Sequence, residues 1–183
     1  MPRVYLSPSL QEYNLVIVGG TEEEWANRVV DAMEPYLYAT GIEFTRNDPS
    51  MTLIEAINQS NMGNYDFHLA IHSNAAPESL VGILRGPDIY YYLGSYYGQE
   101  MARIIANNFA RIYPNPADIA TVPTVTLAEL RRTRAAAVLV EMAYHDNEQD
   151  AIWMTENIHA IARELSRSLA EYFGIPFVEP TII

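Results

Sequence analysis

The chain reads as an α/β protein, a three-layer sandwich whose mainly parallel central sheet of about five or six strands carries helices on both faces. Three observations predict it. Stretches of strand composition alternate with stretches of helical periodicity along the chain. Ala136 to Met142 is a near-continuous apolar run, the mark of a central parallel strand covered on both sides. Asp66 to His72 alternates instead, with Phe67, Leu69 and Ile71 on one face and His68, Ala70 and His72 on the other.

Taken in order, Arg3 to Ser7 predicts a short buried strand stopped by Pro8, and Ser9 to Gly20 a loop. Thr21 followed by Glu22-Glu23-Glu24 starts a helix: the threonine caps free N–H groups, Glu24 completes a capping box, and the acids suit the positive helix end. Apolar residues then recur at helical spacing to Thr40, with Pro35 kinking the helix and Gly41 stopping it. Ile42 to Thr45 is a second strand, and Ser50 caps a helix reaching about Asn61. After the histidine strand, Ser73 to Pro77 ends it. Val81 to Leu84 and Ile89 to Leu93 both have strand composition, separated by Arg85-Gly86-Pro87. Ser95 to Ile112 predicts a long helix, Val122 to Thr126 an extended segment, and Leu127 to Arg132 a short connection or helical turn. Asn157 to Phe173 forms the last amphipathic helix. There is no internal repeat or linker, so residues 1 to 183 are expected to form one domain with a Pro-containing tail from about residue 175.

The bulk numbers narrow the function. A hydrophobic fraction of 49% and mean hydropathy of −0.07 fit a globular protein, and no apolar run approaches a membrane span. A net charge of −12 opposes binding to nucleic acid or an anionic membrane through a general field. No cysteine is present, which removes disulfides, thiolate metal sites and a cysteine nucleophile. Val18-Gly19-Gly20-Thr21 is too short for a Walker A or dinucleotide motif. Met1-Pro2-Arg3 is too short for a signal peptide's charged region, so the expected location is cytoplasmic, with any release to the cell wall by another route.

The candidate chemistry sits at strand ends. His72 is the last residue of its strand, where parallel sheets place their reactive groups. Glu141 is the most anomalous residue, a carboxylate inside an apolar run. It reads either as a catalytic acid/base with a raised pKa or as the partner of Arg131 or Arg132. His145 follows four residues later, and Glu22, at the first helix start, opens onto the same edge. Two histidines and a carboxylate are a common catalytic zinc set. His68 lies deeper than His72 and reads as support beneath it. His159 reads as structural.

These residues resemble the zinc-dependent N-acetylmuramoyl-L-alanine amidases of the Amidase_3 type, over about residues 3 to 174. Asp66 to Ala75 is similar to the family's strand ending in His-x-Asn-Ala, and Val138 to Asn147 to its strand ending in a catalytic glutamate followed by Phe-x-x-Asn. The resemblance implies hydrolysis of the amide between the lactyl group of N-acetylmuramic acid and L-alanine, in peptidoglycan or muropeptides. It implies Glu141 as catalytic residue, His72 as zinc ligand, and Glu22 as the metal glutamate, with Glu23 the one-residue alternative. One departure stands out. The family's first strand leads into Gly-His-Gly-Gly, whose histidine binds zinc; here Ser7 to Asn14 holds none, and Leu10 falls at that position. His145 is the expected substitute ligand beside His72 and Glu22, with Gln11 or Asn14 offering amide oxygens. Asn74, Arg85 and Gln11 are the expected substrate-binding residues, Arg85 through a stem-peptide carboxylate. Tyr90 to Tyr92, Tyr96 and Tyr97 suggest a contact surface or a groove for sugar; oligomeric state is left open. The alternatives are a metal-free relative that binds peptidoglycan without cutting it, and a metallo-amidohydrolase acting on another small amide.

Overall fold

Strand alternation sorts the central sheet into one apolar face and one that carries polar groups. The computed structural model describes residues 1–181. Its six strands are β1 (Arg3–Pro8), β2 (Glu43–Arg46), β3 (Phe67–Asn74), β4 (Asp88–Tyr92), β5 (Ala120–Thr124) and β6 (Ala136–Tyr144). They lie in the order β2-β1-β3-β6-β4-β5. Six helices join them: α1 (Glu22–Thr40), α2 (Leu53–Met62), α3 (Tyr96–Phe109), α4 (Ala128–Arg132), α5 (Glu148–Glu156) and α6 (Ile158–Phe173). No helix among the described residues is long and apolar enough to cross a membrane.

On one face Leu6, Leu69, Ile71, Val138, Val140 and Met142 are fully buried beneath α1, α3 and α6. Each such side chain contributes about 1.5–3 kcal/mol on burial, so this face supplies most of the stability. The opposite face carries Ser7, His68, Ala70, His72, Ala137, Leu139 and Glu141 under the short α2 and α4. Only a small apolar cluster, Ala70, Ala137, Leu139 and Leu130, sits there. The thinly covered face is the one that hosts the site.

The sheet is mainly parallel, as expected: β1, β2, β3 and β6 run together, and β4 with β5 runs antiparallel to β6. Other expectations need correction. Val81 to Leu84 is not a strand; the chain turns there, after a single 3₁₀ turn at Glu78–Leu80. The cap of α2 is Thr52, not Ser50, and it makes the full capping box with Glu55. At α1, Thr21 accepts from the Glu24 N–H, but the Glu24 side chain turns outward to Arg28, leaving the box half made. As expected, Pro35 does not end α1, which runs on to Thr40.

The sequence reading missed α5 altogether. Its cap is Asn147, which accepts from the Gln149 and Asp150 N–H groups and donates to the Gly82 and Leu84 carbonyls. Asp150, buried, then accepts from the backbone N–H groups of Gly86 and Tyr144 and from the Tyr113 hydroxyl. One carboxylate thus ties the end of β6 to the loop before β4. Between His72 and Asn74 the β3–β6 register shifts, with Asn74 opposite Tyr144. Such an irregularity re-aims side chains beside a site.

Candidate active site

Register places three ionisable residues in one line across three strands: His72 of β3 faces Glu141 of β6, which faces Asp88 of β4. Beside them is a cavity of about 350 Å³. Its walls include Leu10, Gln11, His72, Leu127, Glu129 and Glu141.

His72 is held at both ring nitrogens. Nδ1 lies 2.8 Å from Glu22 Oε1 and Nε2 lies 3.2 Å from Glu129 Oε2. Ionised carboxylates only accept hydrogen bonds, so these two contacts favour the protonated ring; the Gln11 amide nitrogen also stands 3.4 Å from Nδ1. Burial opposes that charge, but the hydrogen bonds to Glu129 and Glu22 hold the His72 pKa well above its usual value. Glu22 is fixed in turn from the loop after β1. Asn14 Nδ2 donates to its Oε2 at 2.7 Å and Gln11 Nε2 to its Oε1 at 3.2 Å. Burial works against the Glu22 carboxylate, yet His72 and these neighbours keep its pKa below the ordinary range. The positive end of α1 favours it further. Glu23, half-buried, makes no contact with His72, so Glu22 is the glutamate that reaches the site.

Glu129 went unforeseen. It comes from α4, is buried, and every recorded contact of its carboxylate is a donor: Ser7 Oγ at 2.5 Å, His68 Nε2 at 3.1 Å and His72 Nε2. Burial would raise its pKa, but His68 and His72 hold it far below the usual carboxylate range. His68 is supported behind by the Ser60 hydroxyl at 2.9 Å and by Tyr5, stacked on the ring. It sits beneath His72 as expected, linked to it through Glu129. The only signal for Glu129 was its place on the short turn leading into the Glu141 strand, where an acid beside arginines reads as a solvated face.

Glu141 has the opposite surroundings. Its Oε2 is shut away from solvent without a hydrogen-bond partner, so neither Arg131 nor Arg132 bonds that oxygen. Desolvation pushes its carboxyl up to about 7, with His72 opposing and Glu22, Asp88 and Glu129 adding to the rise. Asp88 accepts from Asn74 Nδ2 at 3.1 Å and from the Tyr144 hydroxyl at 2.9 Å.

Of the other expected site residues, Gln11 stands in the cavity wall and Asn74, two residues past His72 and opposite Tyr144, is bonded to Asp88. Arg85 is elsewhere: exposed, it pairs with Asp118 at 2.9 Å and reaches Gln149. His145 is also placed apart. Its Nδ1 is bonded to the Ser73 hydroxyl and carbonyl, both at 3.0 Å, and none of its recorded contacts is with Glu22, His72 or Glu141. The structure therefore does not assemble the expected His72–Glu22–His145 set. His159 is exposed on α6.

Two strong donors for a zinc ion adjoin here, His72 Nδ1 and Glu22 Oε1, one short of the three protein ligands of a catalytic zinc site. The Gln11 amide stands 3.4 Å from that nitrogen, and the other ring nitrogen meets Glu129, as the second nitrogen of a metal-bound histidine ordinarily meets a carboxylate. Leu10 lines the cavity with no donor atom to offer. Among the described residues no group of three histidine, aspartate or glutamate side chains is disposed to hold a metal ion.

Comparison with known proteins accounts for the architecture. No curated protein matches the sequence. Among solved structures, the amidase AmiC2 of Nostoc punctiforme superposes with a TM-score of 0.82 at 16% identity, covering 94% of this chain and 97% of that one. An N-acetylmuramoyl-L-alanine amidase from Clostridium difficile 630 gives 0.81 at 12% identity, covering 94% and 97%. The catalytic domain of the CD27L endolysin, described as targeting Clostridia difficile, gives 0.76 at 19% identity, covering 93% and 98%. At these identities the likeness is one of fold. The sequence itself matches the Amidase_3 model, described as N-acetylmuramoyl-L-alanine amidase, over residues 14–171, and the chain belongs to that family.

Proposed function

We propose that the protein hydrolyses the amide between the lactyl group of N-acetylmuramic acid and L-alanine, in peptidoglycan or in soluble muropeptides. The observation that carries this reading is Glu141: a carboxyl on the wall of a cavity, one oxygen unpartnered, raised to about 7 by desolvation. A group with that pKa is part base and part acid at neutral pH, the best compromise for moving a proton in both directions. As carboxylate, Glu141 takes a proton from the attacking water. As acid, it returns that proton to the alanine nitrogen as the C–N bond breaks. His72 faces Glu141 across the sheet and is the neighbour that opposes the rise in its pKa, which keeps the carboxylate form within reach at neutral pH. Leu10, Leu127 and Leu139 give the cavity apolar walls, suited to the methyl groups that flank this amide on its lactyl and alanyl sides. No step here runs through a metal.

A second reading, recognition of the same ligand without cleavage, is favoured by the two carboxylates on His72: they take both ring N–H groups that would otherwise reach an oxyanion. One assay separates them. Sacculi incubated with the protein are expected to gain new amino-terminal L-alanine, and Glu141→Gln is expected to lower that rate by about 10²–10⁴. Equal release by both proteins overturns the role of Glu141. Co-sedimentation with sacculi and no release establishes the recognition reading instead.

A further inference from the structure

We propose that Asp88 is a substrate-binding residue that receives the alanine nitrogen, as the N–H of the substrate amide and as the ammonium of the product. This rests on the reaction proposed above and fixes which end of the amide lies where. Asp88 of β4 pairs in register with Glu141 of β6, so the two carboxyls leave the sheet on one face, their Cβ atoms about 4.5–5.5 Å apart. Like charges directly opposite each other on neighbouring strands are destabilising. The groups that brace Asp88 do not relieve this, because they are uncharged: Asn74 Nδ2 donates at 3.1 Å and the Tyr144 hydroxyl at 2.9 Å. Both end on Oδ2, which fixes the carboxylate and leaves Oδ1 free of recorded hydrogen bonds. Burial raises the Asp88 pKa against the pull of these two donors, and the nearby Asp150 adds to the rise. Across from it, Glu141 Oε2 has no partner at all. Two facing acids, one held in place and one unsatisfied, call for a cationic donor between them.

The reaction makes such a donor. The alanine nitrogen accepts the proton from Glu141 as the C–N bond breaks, and the freed α-amine takes a second proton from water, being largely protonated at neutral pH. An ammonium carries three N–H donors. One meets Asp88 Oδ1, one meets the Glu141 carboxylate, and the third is left for water. Such charge-assisted bonds are about twice as strong as neutral ones, so Asp88 holds the product ammonium more firmly than the single, uncharged N–H of the substrate. A divalent ion needs more ligands than two carboxyls, and among the described residues no third acid or histidine joins them in a group disposed to hold one. The strand order then orients the substrate. With its nitrogen at Asp88, the lactyl carbonyl lies on the His72 side of Glu141 and the peptide runs off over β4.

The test is an NMR titration of the full chain at neutral pH with two probes: L-alaninamide, which carries the ammonium, and N-acetyl-L-alaninamide, which carries an uncharged amide in its place. Wild type is expected to bind L-alaninamide about tenfold more tightly or better, with shifts at the backbone amides of Asn74, Asp88 and Tyr144. Asp88→Asn keeps the shape and removes the charge. It is expected to lose that tenfold preference and to bind the acetylated probe within about twofold of wild type. A wild type that binds both probes equally, or neither, overturns the proposal, and so does an Asp88→Asn protein that keeps the preference. If Asp88→Asn does not fold, the wild-type shifts decide: a preference whose shifts fall away from β4 and the end of β6 overturns the proposal. The readout is binding, so it separates from turnover. Release of L-alanine from sacculi without the ammonium preference strikes the role of Asp88 alone; the preference without release supports Asp88 as an amine site and strikes the proposed hydrolysis.

Discussion

Glu129 and Glu141 stand in the wall of the same cavity, and the protein treats them in opposite ways. Glu129 has three donors and a depressed pKa; Glu141 has an orphaned oxygen and a raised one. Both lose water, so desolvation does not distinguish them. What does is company: Ser7, His68 and His72 all converge on α4, and none of them donates to the end of β6. A carboxylate with three donors is a fixture of the fold. One left without them is costly to keep, and such groups persist where chemistry uses them.

The largest expected effect comes from breaking the satisfied member. Glu129→Ala takes one partner each from two buried histidines and from Ser7, and is expected to cost about 3–5 kcal/mol of folding stability. Urea unfolding measures it. Glu141→Gln, in contrast, is expected to leave stability near that of wild type or to raise it, since it removes a desolvated acid and breaks no recorded hydrogen bond.

The next effect is in pH dependence. The ordinary carboxyl value for glutamate is 4.5, and the folded state raises Glu141 to about 7. Between those values the folded protein binds a proton that the unfolded chain has released, so stability falls as pH rises through this window. The penalty is complete above about 7 and absent below the unfolded value. Glu129 and Glu22 act in the opposite sense: their contribution is present above the unfolded carboxyl value and is lost as pH falls through their folded values. Between pH 5 and 8 the wild type is therefore expected to lose about 2 kcal/mol relative to Glu141→Gln, measured by unfolding both at each pH. Equal pH dependence in the two proteins would place Glu141 among the satisfied carboxylates. The smallest effect is at Arg85, which the structure pairs with Asp118 on the surface: Arg85→Ala is expected to change stability by less than about 1 kcal/mol and to leave ligand binding unaltered.

How much of this was legible in the sequence follows the same division. β3, β6 and α1 announced themselves, because strand alternation, a continuous apolar run and a capped acidic helix start are local signals. Glu141 stood out because an acid inside an apolar run contradicts its neighbours. The direction of β4 was not legible, since Val81 to Leu84 and Ile89 to Leu93 have equal strand character and only the first turns. α5 was hidden because its cap, Asn147, looks like the end of a loop and its buried Asp150 like a solvated acid. Glu129 was hidden for the same reason: its partners come from β1 and β3, far away in sequence. His145 was expected as a ligand from its nearness to Glu141 along the chain; the turn after Tyr144 instead bonds its ring to Ser73.

The central claim is that the unpartnered Glu141 is the group that moves the proton. The pH profile of kcat/KM for release of amino-terminal L-alanine tests it most directly. The account predicts activity that rises with pH along a limb centred at about 7, as the Glu141 carboxylate forms. A profile flat across that range, or a limb at the ordinary carboxylate value near 4.5, would contradict it.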